Sequence, residues 1–328
     1  MRRCLLPLLV LAACADPVDK AAKARIFSPE DPPQAVSSAK EKLPPTEVAD
    51  NPKIARRVLG MGAAEATERL GPHRYSATLD LEWTANGKNV RLNETRLLEA
   101  GQGGVSGDFH ALQENSRDQG LEVLRVKGQV FARSRYGKFR LRSRDRGMAE
   151  RIREETFGAI PDFDQLFRGR IKLTAQGTGS LEGRVTWKYV VSLADASPDA
   201  PSRLPPPQLA KNGGDETTLR RLAFQELRQP RTLQGEVQVD ADTSVVVRAR
   251  LDGRLVVQRP DVGPAELRLT LDSKVSDIGK SPALVAPKDA LPDQDKPQGI
   301  AAALERFGIQ KAVRDGGTGP DEPSDDAE

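Results

Sequence analysis

The chain has 328 residues, of which 38% are apolar, 30% charged and only 4% aromatic. The 50 basic and 47 acidic residues nearly cancel, so no global field draws the protein to nucleic acid. The two cysteines, at positions 4 and 14, leave the body without a disulfide framework, and beyond residue 13 no apolar run approaches the ~20 residues of a membrane-spanning helix.

The first sixteen residues, MRRCLLPLLVLAACAD, carry the strongest address signal. Arg2 and Arg3 form a positive start, Leu5 to Ala13 an apolar run broken by Pro7, and Ala12-Ala13-Cys14 a small-residue cut site. Small-small-Cys at that point resembles the lipobox of bacterial lipoproteins. On that resemblance residues 1–13 are a signal peptide, and Cys14 becomes the lipidated N-terminus of an exported protein. The protein is then held on a membrane, expected to be the outer membrane facing the periplasm; Ala15 after the cysteine favours that choice, and Asp16 beside it weakens it. The plainer alternative is a soluble export signal with an incidental cysteine.

Residues 14–51, with Pro29, Pro32-Pro33 and Pro44-Pro45, read as an extended, disordered tether. Over 52–70, Ile54, Val58, Met61, Ala64 and Leu70 recur at helical spacing, with Asn51 placed to cap, Pro52 just inside and Gly71-Pro72 as a stop. Gly60-Met61-Gly62 is not a dinucleotide loop, because Glu65 stands where a third small residue is needed and no strand precedes it.

From Tyr75 the period becomes two. Tyr75, Ala77, Leu79, Leu81 and Trp83 alternate with polar residues, and Asn86-Gly87 makes a hairpin turn into a strand over 89–99. Further strands are expected over 105–111, 121–126, 129–135 and 138–144. A helix follows from Met148 to a stop near Pro161, then another turn of helix through Phe163 and Phe167. Strands resume at 170–176 and 184–193, the latter with Trp187 and Tyr189 on its apolar side. Residues 195–215, with Pro205-Pro206-Pro207 and Gly213-Gly214, form a mobile loop, and Leu219–Leu227 a short helix. Strands over 232–240, 244–252, 254–258 and 265–275 complete about twelve, with Asp252-Gly253 taken as a turn. Residues 286–328 read as a largely disordered acidic tail with one amphipathic segment at 300–313.

This order gives a mainly β (α+β) fold: a curled antiparallel sheet or incomplete β-barrel over 52–285, with a few helices on its concave side. A tether, a helix, a long meander and a late hairpin together resemble the LolA/LolB-like lipoprotein-carrier superfamily, which includes lipid-binding lipoproteins of mycobacteria. The stretches that carry the likeness are Gly235 to Arg250, with its Asp240-Ala-Asp-Thr243 turn, and Leu271 to Gly279 followed by Pro282. The resemblance implies a cavity for acyl chains, no catalysis, and a lipid or lipoprotein acyl chain as partner.

The apolar alternations nominate Tyr75, Leu79, Leu81, Trp83, Phe109, Trp187, Tyr189, Val237, Val239, Leu269 and Leu271 as its lining. Their alternative is a filled core and a structural or assembly lipoprotein, which periodicity cannot separate from a cavity. Trp83 and Trp187 are both expected on one interior. Arg140, Arg142 and Arg144 alternate onto one strand face and are nominated for anionic headgroups; the alternative is a solvated, edge-protecting face. His73 and His110 read as surface or turn residues; no metal-ligand spacing and no cofactor motif is present, and no Gly-x-Ser-x-Gly elbow supports a hydrolase.

Overall fold

β1 (His73–Ala85) is the spine of the fold. Tyr75, Ala77 and Leu79 are buried on one face, while Arg74, Ser76 and Asp80 are exposed on the other. The computed structural model describes residues 44–143, 145–195, 224, 227–259 and 263–293, all within the compact unit Lys42–Glu328. Cys14, its signal peptide and most of the tether, the expected 195–215 loop beyond Asp195, most of the expected Leu219–Leu227 helix, and 294–328 with the expected 300–313 helix lie outside them.

β2 (Lys88–Ala100), β3 (Phe109–Asn115), β4 (Gly120–Val126), β5 (Gln129–Ser134) and β6 (Arg140–Leu141) extend the sheet to one side of β1. β11 (Gly263–Ser276), β10 (Val246–Arg259), β9 (Arg228–Asp240), β8 (Arg184–Leu193) and β7 (Ile171–Leu181) extend it to the other. The result is one 11-stranded antiparallel sheet, mostly β and not closed into a barrel, with β6 and β7 as its edges. Two meanders meet where β1 pairs with β11, from Arg74 opposite Ser276 to Thr84 opposite Glu266.

One strand fewer than expected forms because Asp252-Gly253 is no turn. β10 runs through it, Gly253 lying opposite Leu233 and Leu269. The glycine answers to packing: a Cβ there would fall 2.2 Å from the Phe167 ring. Gly235 likewise marks a close approach, since a Cβ there would lie 2.1 Å from the Arg250 carbonyl. β6 is also much shorter than the expected 138–144 strand. The chain leaves the sheet through Arg146 and Gly147, both at positive φ, into a helix whose first turn is capped by the Asp145 carboxylate, 3.1 Å from the Ala149 amide.

Among the fully described helices, five pack on the inner face: α1 (Pro45–Asp50), α2 (Pro52–Leu59), α3 (Ala63–Leu70), α4 (Met148–Phe157) and α5 (Ala159–Leu166). The single helix expected over 52–70 breaks at Gly60–Gly62. Asn51 caps α2 by accepting from the Lys53 amide at 3.0 Å, and Glu154 of α4 receives the first amides of α3, Ala63 at 2.7 Å and Ala64 at 2.9 Å. Glu154 reaches there because position 62 has no side chain; a Cβ would stand 2.5 Å from its carboxylate. The break between α4 and α5 falls at Gly158, leaving Pro161 in the first turn of α5, where a missing N–H costs nothing. α1 begins inside the stretch read as tether and buries Val48.

The helices and the inner faces of β1–β5 and β7–β11 share one apolar core, so the sheet curls around the helices. A smaller cluster lies on the outer face of β4–β6, where Leu124, Val126 and Phe131 meet Leu284, Ala286 and Ala290. The described part of the tail is thus packed. It is pinned to the β6 edge by Leu291, which bridges to Arg140, accepting from the Leu141 N–H and donating to the Phe139 carbonyl, and by the Asp293 carboxylate, which accepts from Ser143.

Candidate functional site

Directly paired residues in an antiparallel sheet share a face. The register therefore puts all eleven nominated lining residues on the inner side. Tyr75, Phe109, Tyr189, Val237, Val239, Leu269 and Leu271 are all 2% exposed or less, and Leu79 is 9% exposed. What fills the space before them is the chain's own helices. Tyr75 packs on Phe157 of α4 with ring centroids 4.6 Å apart, and the Tyr189 hydroxyl donates to the Pro45 carbonyl at 3.2 Å. Phe163 and Phe167 stack at 4.8 Å at the end of α5, above Gly253.

The two tryptophans do not share one space. Trp83 lies opposite Leu267, which lies opposite Leu255, and that row meets β9 at Pro230. Trp187 lies opposite Val239, nine positions further along β9, or about 30 Å at 3.3 Å per residue. Trp83 belongs to a separate cluster with Leu255, Val257, Leu267, Leu166, Phe224 and Leu227, and Leu81 bridges it to the main core. The half-buried Trp187 packs at the rim of the main core, beside exposed Val185.

The helices meet the two halves of the sheet differently. Against β9–β11 the contact is mainly apolar, with Arg228 of β9 donating to the Leu166 carbonyl at 3.1 Å and to the Gln165 carbonyl at 3.0 Å. Against β2 and β3 the apolar packing of Leu98, Phe109 and Ala111 is joined by polar contacts through residues the sequence reading did not nominate. Arg96, opposite Ala77 on the inner face, has a side chain only 11% exposed. Its Nε donates to Glu94 at 2.5 Å; its Nη1 donates to the Glu155 carbonyl at 2.7 Å and to Asp162 of α5 at 2.8 Å. Gln113 of β3 donates to the Thr156 hydroxyl of α4 at 2.9 Å. Glu94 and Arg96 interrupt the inner-face alternation Val90, Leu92, Leu98, which is the signal that could have found them.

Arg140 is half-buried on β6 and Arg142 exposed just beyond it, so they do not continue one strand face; Arg144 lies outside the described residues. Nearby Arg133 pairs with Glu122 at 2.5 Å and covers the Phe139 ring at 4.5 Å.

The histidines sit in contrasting settings. His73 is 1% exposed rather than at the surface; its Nδ1–H donates to the Gly71 carbonyl at 2.8 Å, and burial holds its pKa below the ordinary value. His110, on the outer face, is clasped by Glu99 at 3.0 Å and Glu122 at 2.9 Å. Burial pulls His110 down, but the two carboxylates outweigh it and raise its pKa.

A groove of about 580 Å³ lies on the opposite, outer face, lined by Thr78, Asp80, Gln234, Arg250, Asp252 and Asp272. Its charges are paired by neighbours: Asp272 with Arg248 at 3.0 Å, Asp252 with Arg268 at 2.7 Å, and Asp80 with Asn93 at 2.7 Å. Val190, Val191, Leu251 and Leu271 also line it, so it touches the nominated lining at Leu271 alone. Among the described residues no helix is long and apolar enough to cross a membrane, and no group of three His, Cys, Asp or Glu side chains is placed to hold a metal ion.

No family model and no curated protein matches the chain. Among solved structures it is similar to a DUF1329 family protein from Desulfovibrio piger, at 12% identity and a TM-score of 0.21, over 66% of this chain and 91% of that one. It is also similar to a putative outer membrane lipoprotein-sorting protein domain from Vibrio parahaemolyticus, at 8% identity and a TM-score of 0.19, over 71% of this chain and 94% of that one. Likenesses this low assign no family.

Proposed function

We propose that the protein is a non-enzymatic lipoprotein of a bacterial cell envelope, anchored through Cys14, that binds or transfers a lipid or other amphiphile inside its half-barrel. The observation that carries this reading is the polar seam between α4–α5 and β2–β3. On this side Arg96, Asp162, Gln113 and Thr156 can exchange their partners for water when the helix pair leaves, and the apolar surface of Ile152, Phe157 and Phe163 that is uncovered with it is what a bound acyl chain must cover instead. Departure of the pair uncovers Tyr75, Leu79 and Leu271, a surface suited to an acyl chain. The helices then serve as a plug that the ligand displaces.

A second reading is favoured by the burial of the same residues. Tyr75, Phe109 and Tyr189 are filled against by the chain's own helices, as in a structural or assembly lipoprotein with no ligand. Native mass spectrometry of wild-type protein and Cys14→Ser, each extracted from the producing cell, separates the two. The first reading predicts co-purified lipid in the body of both proteins, with acyl mass on residue 14 of the wild type alone. A body without lipid in both favours the structural reading.

A further inference from the structure

Three inner-face groups under α5 do not belong in a purely apolar core. β11 presents Ala265, Leu267, Leu269 and Leu271 inward, then Ser273, which is 3% exposed, then Val275. Tyr75 lies opposite Val275, one step from Ser273 on the neighbouring strand, and is 2% exposed. Its hydroxyl has the Ser273 hydroxyl and the Ala159 backbone within reach but makes no well-formed hydrogen bond. A buried hydroxyl left so poorly bonded is costly, so its presence asks for a reason. Burial pushes the phenol well above its ordinary pKa, so it stays a proton donor. Arg96 completes the group; it shares a row with Ser273 and Ala77 and acts electrostatically on Tyr75.

The present partners of Arg96 indicate what can replace them. Glu94 holds Nε and orients the guanidinium from its own strand. Nη1 points to the helices and donates to two oxygens, one of them on the Asp162 carboxylate, whose side chain is 52% exposed. If α4 and α5 withdraw, Arg96 keeps Glu94 but loses both acceptors of Nη1, the Glu155 carbonyl and the Asp162 carboxylate. A ligand head with an anionic oxygen can supply the acceptor that is lost.

We propose that the amphiphile carries an anionic oxygen headgroup, a carboxylate or a phosphate, that takes the place of Asp162 on Arg96 and accepts from the Tyr75 hydroxyl, with the Ser273 hydroxyl beside it. This rests on the reading of the half-barrel as an amphiphile site.

The test is displacement of a fluorescent apolar probe from the full mature chain at about pH 8, where a carboxyl group is ionised. Hexadecanoic acid, hexadecyl phosphate and hexadecanol offer the same chain with three heads. The expected result is binding of at least one anion about 10-fold or more tighter than the alcohol, the value of a charge-assisted hydrogen bond. The tighter anion identifies the head as carboxylate or phosphate. Arg96→Gln abolishes the preference. Tyr75→Phe, which removes only a poorly bonded hydroxyl and so folds, reduces it while hexadecanol binding stays unchanged. Equal binding of acid, phosphate and alcohol overturns the headgroup assignment and leaves the amphiphile reading standing. So does a preference that survives both substitutions. Binding of none overturns both.

Discussion

The two flanks of the half-barrel hold the same helix pair by different physics. On the β10 side, Phe167 fills the place where Gly253 lacks a side chain, and Phe163 stacks behind it, both 0% exposed. On the β2 side, Arg96 and Gln113 hold α4 and α5 through hydrogen bonds, with Asp162 half in water. Apolar docking is lost in full when the surfaces part, whereas polar docking is largely repaid by hydration. On the proposed reading the β10 flank is the hinge and the β2 flank the opening.

The largest expected effect breaks the hinge. Phe167→Ala should cost about 3–5 kcal/mol in urea unfolding, the range for a buried aromatic. Gly253→Ala, which forces a Cβ into the ring, should cost about 1–3 kcal/mol. The double variant should be more stable than the sum predicts, because the missing ring makes room for the new methyl. Strict additivity would separate the two residues and remove the hinge.

Loosening the opening is a smaller change. Arg96→Leu should cost about 1–2 kcal/mol, since Asp162 rehydrates when its partner goes. The same variant should bind an apolar probe faster than the wild type, as a plug with a weaker latch requires. Stopped-flow fluorescence measures this, and an unchanged or slower rate would show that Arg96 does not hold the plug.

The smallest effect is the pH dependence, and the two histidines give it opposite signs. The raised pKa of His110 makes its stabilisation complete below the ordinary value of ~6.5 and lost as pH rises through the raised one. The lowered pKa of His73 means the unfolded chain takes up that proton first, so stability falls as pH drops from ~6.5 to the lowered value. His110→Gln should therefore be more destabilising at acid than at alkaline pH. His73→Phe should flatten the acid-side loss. Urea titrations on either side of neutrality check both.

Much of this fold is legible in the chain. The alternation at Tyr75–Trp83 and the turns at Asn86-Gly87 and Lys127-Gly128 mark strand after strand, because period two and positive φ are local properties. Tertiary demands are less visible. Gly253 reads as a turn residue, and only the Phe167 ring across the core explains it as a mid-strand vacancy. The arginine alternation at 140–144 is real as a pattern, yet the exit into α4 ends the strand at Leu141. Apolar periodicity put Tyr75, Tyr189 and Val237 on the inner face but could not tell that α1 and α4 lie over them, since a core and a cavity share one pattern. Arg96 was hidden for the opposite reason: a charge at an inward position looks like a lapse in the alternation until its partners Glu155 and Asp162, 59 and 66 residues away in sequence, are seen.

The claim that α4–α5 is a displaceable plug is tested most directly by hydrogen exchange of the amides of Met148–Leu166 in the native protein, with and without hexadecanoic acid. The account predicts that these amides exchange together through an opening well below the global unfolding free energy, and faster when the acid is bound, while the β9–β11 amides exchange only on global unfolding. Exchange of α4–α5 only with global unfolding, unchanged by the acid, would contradict it.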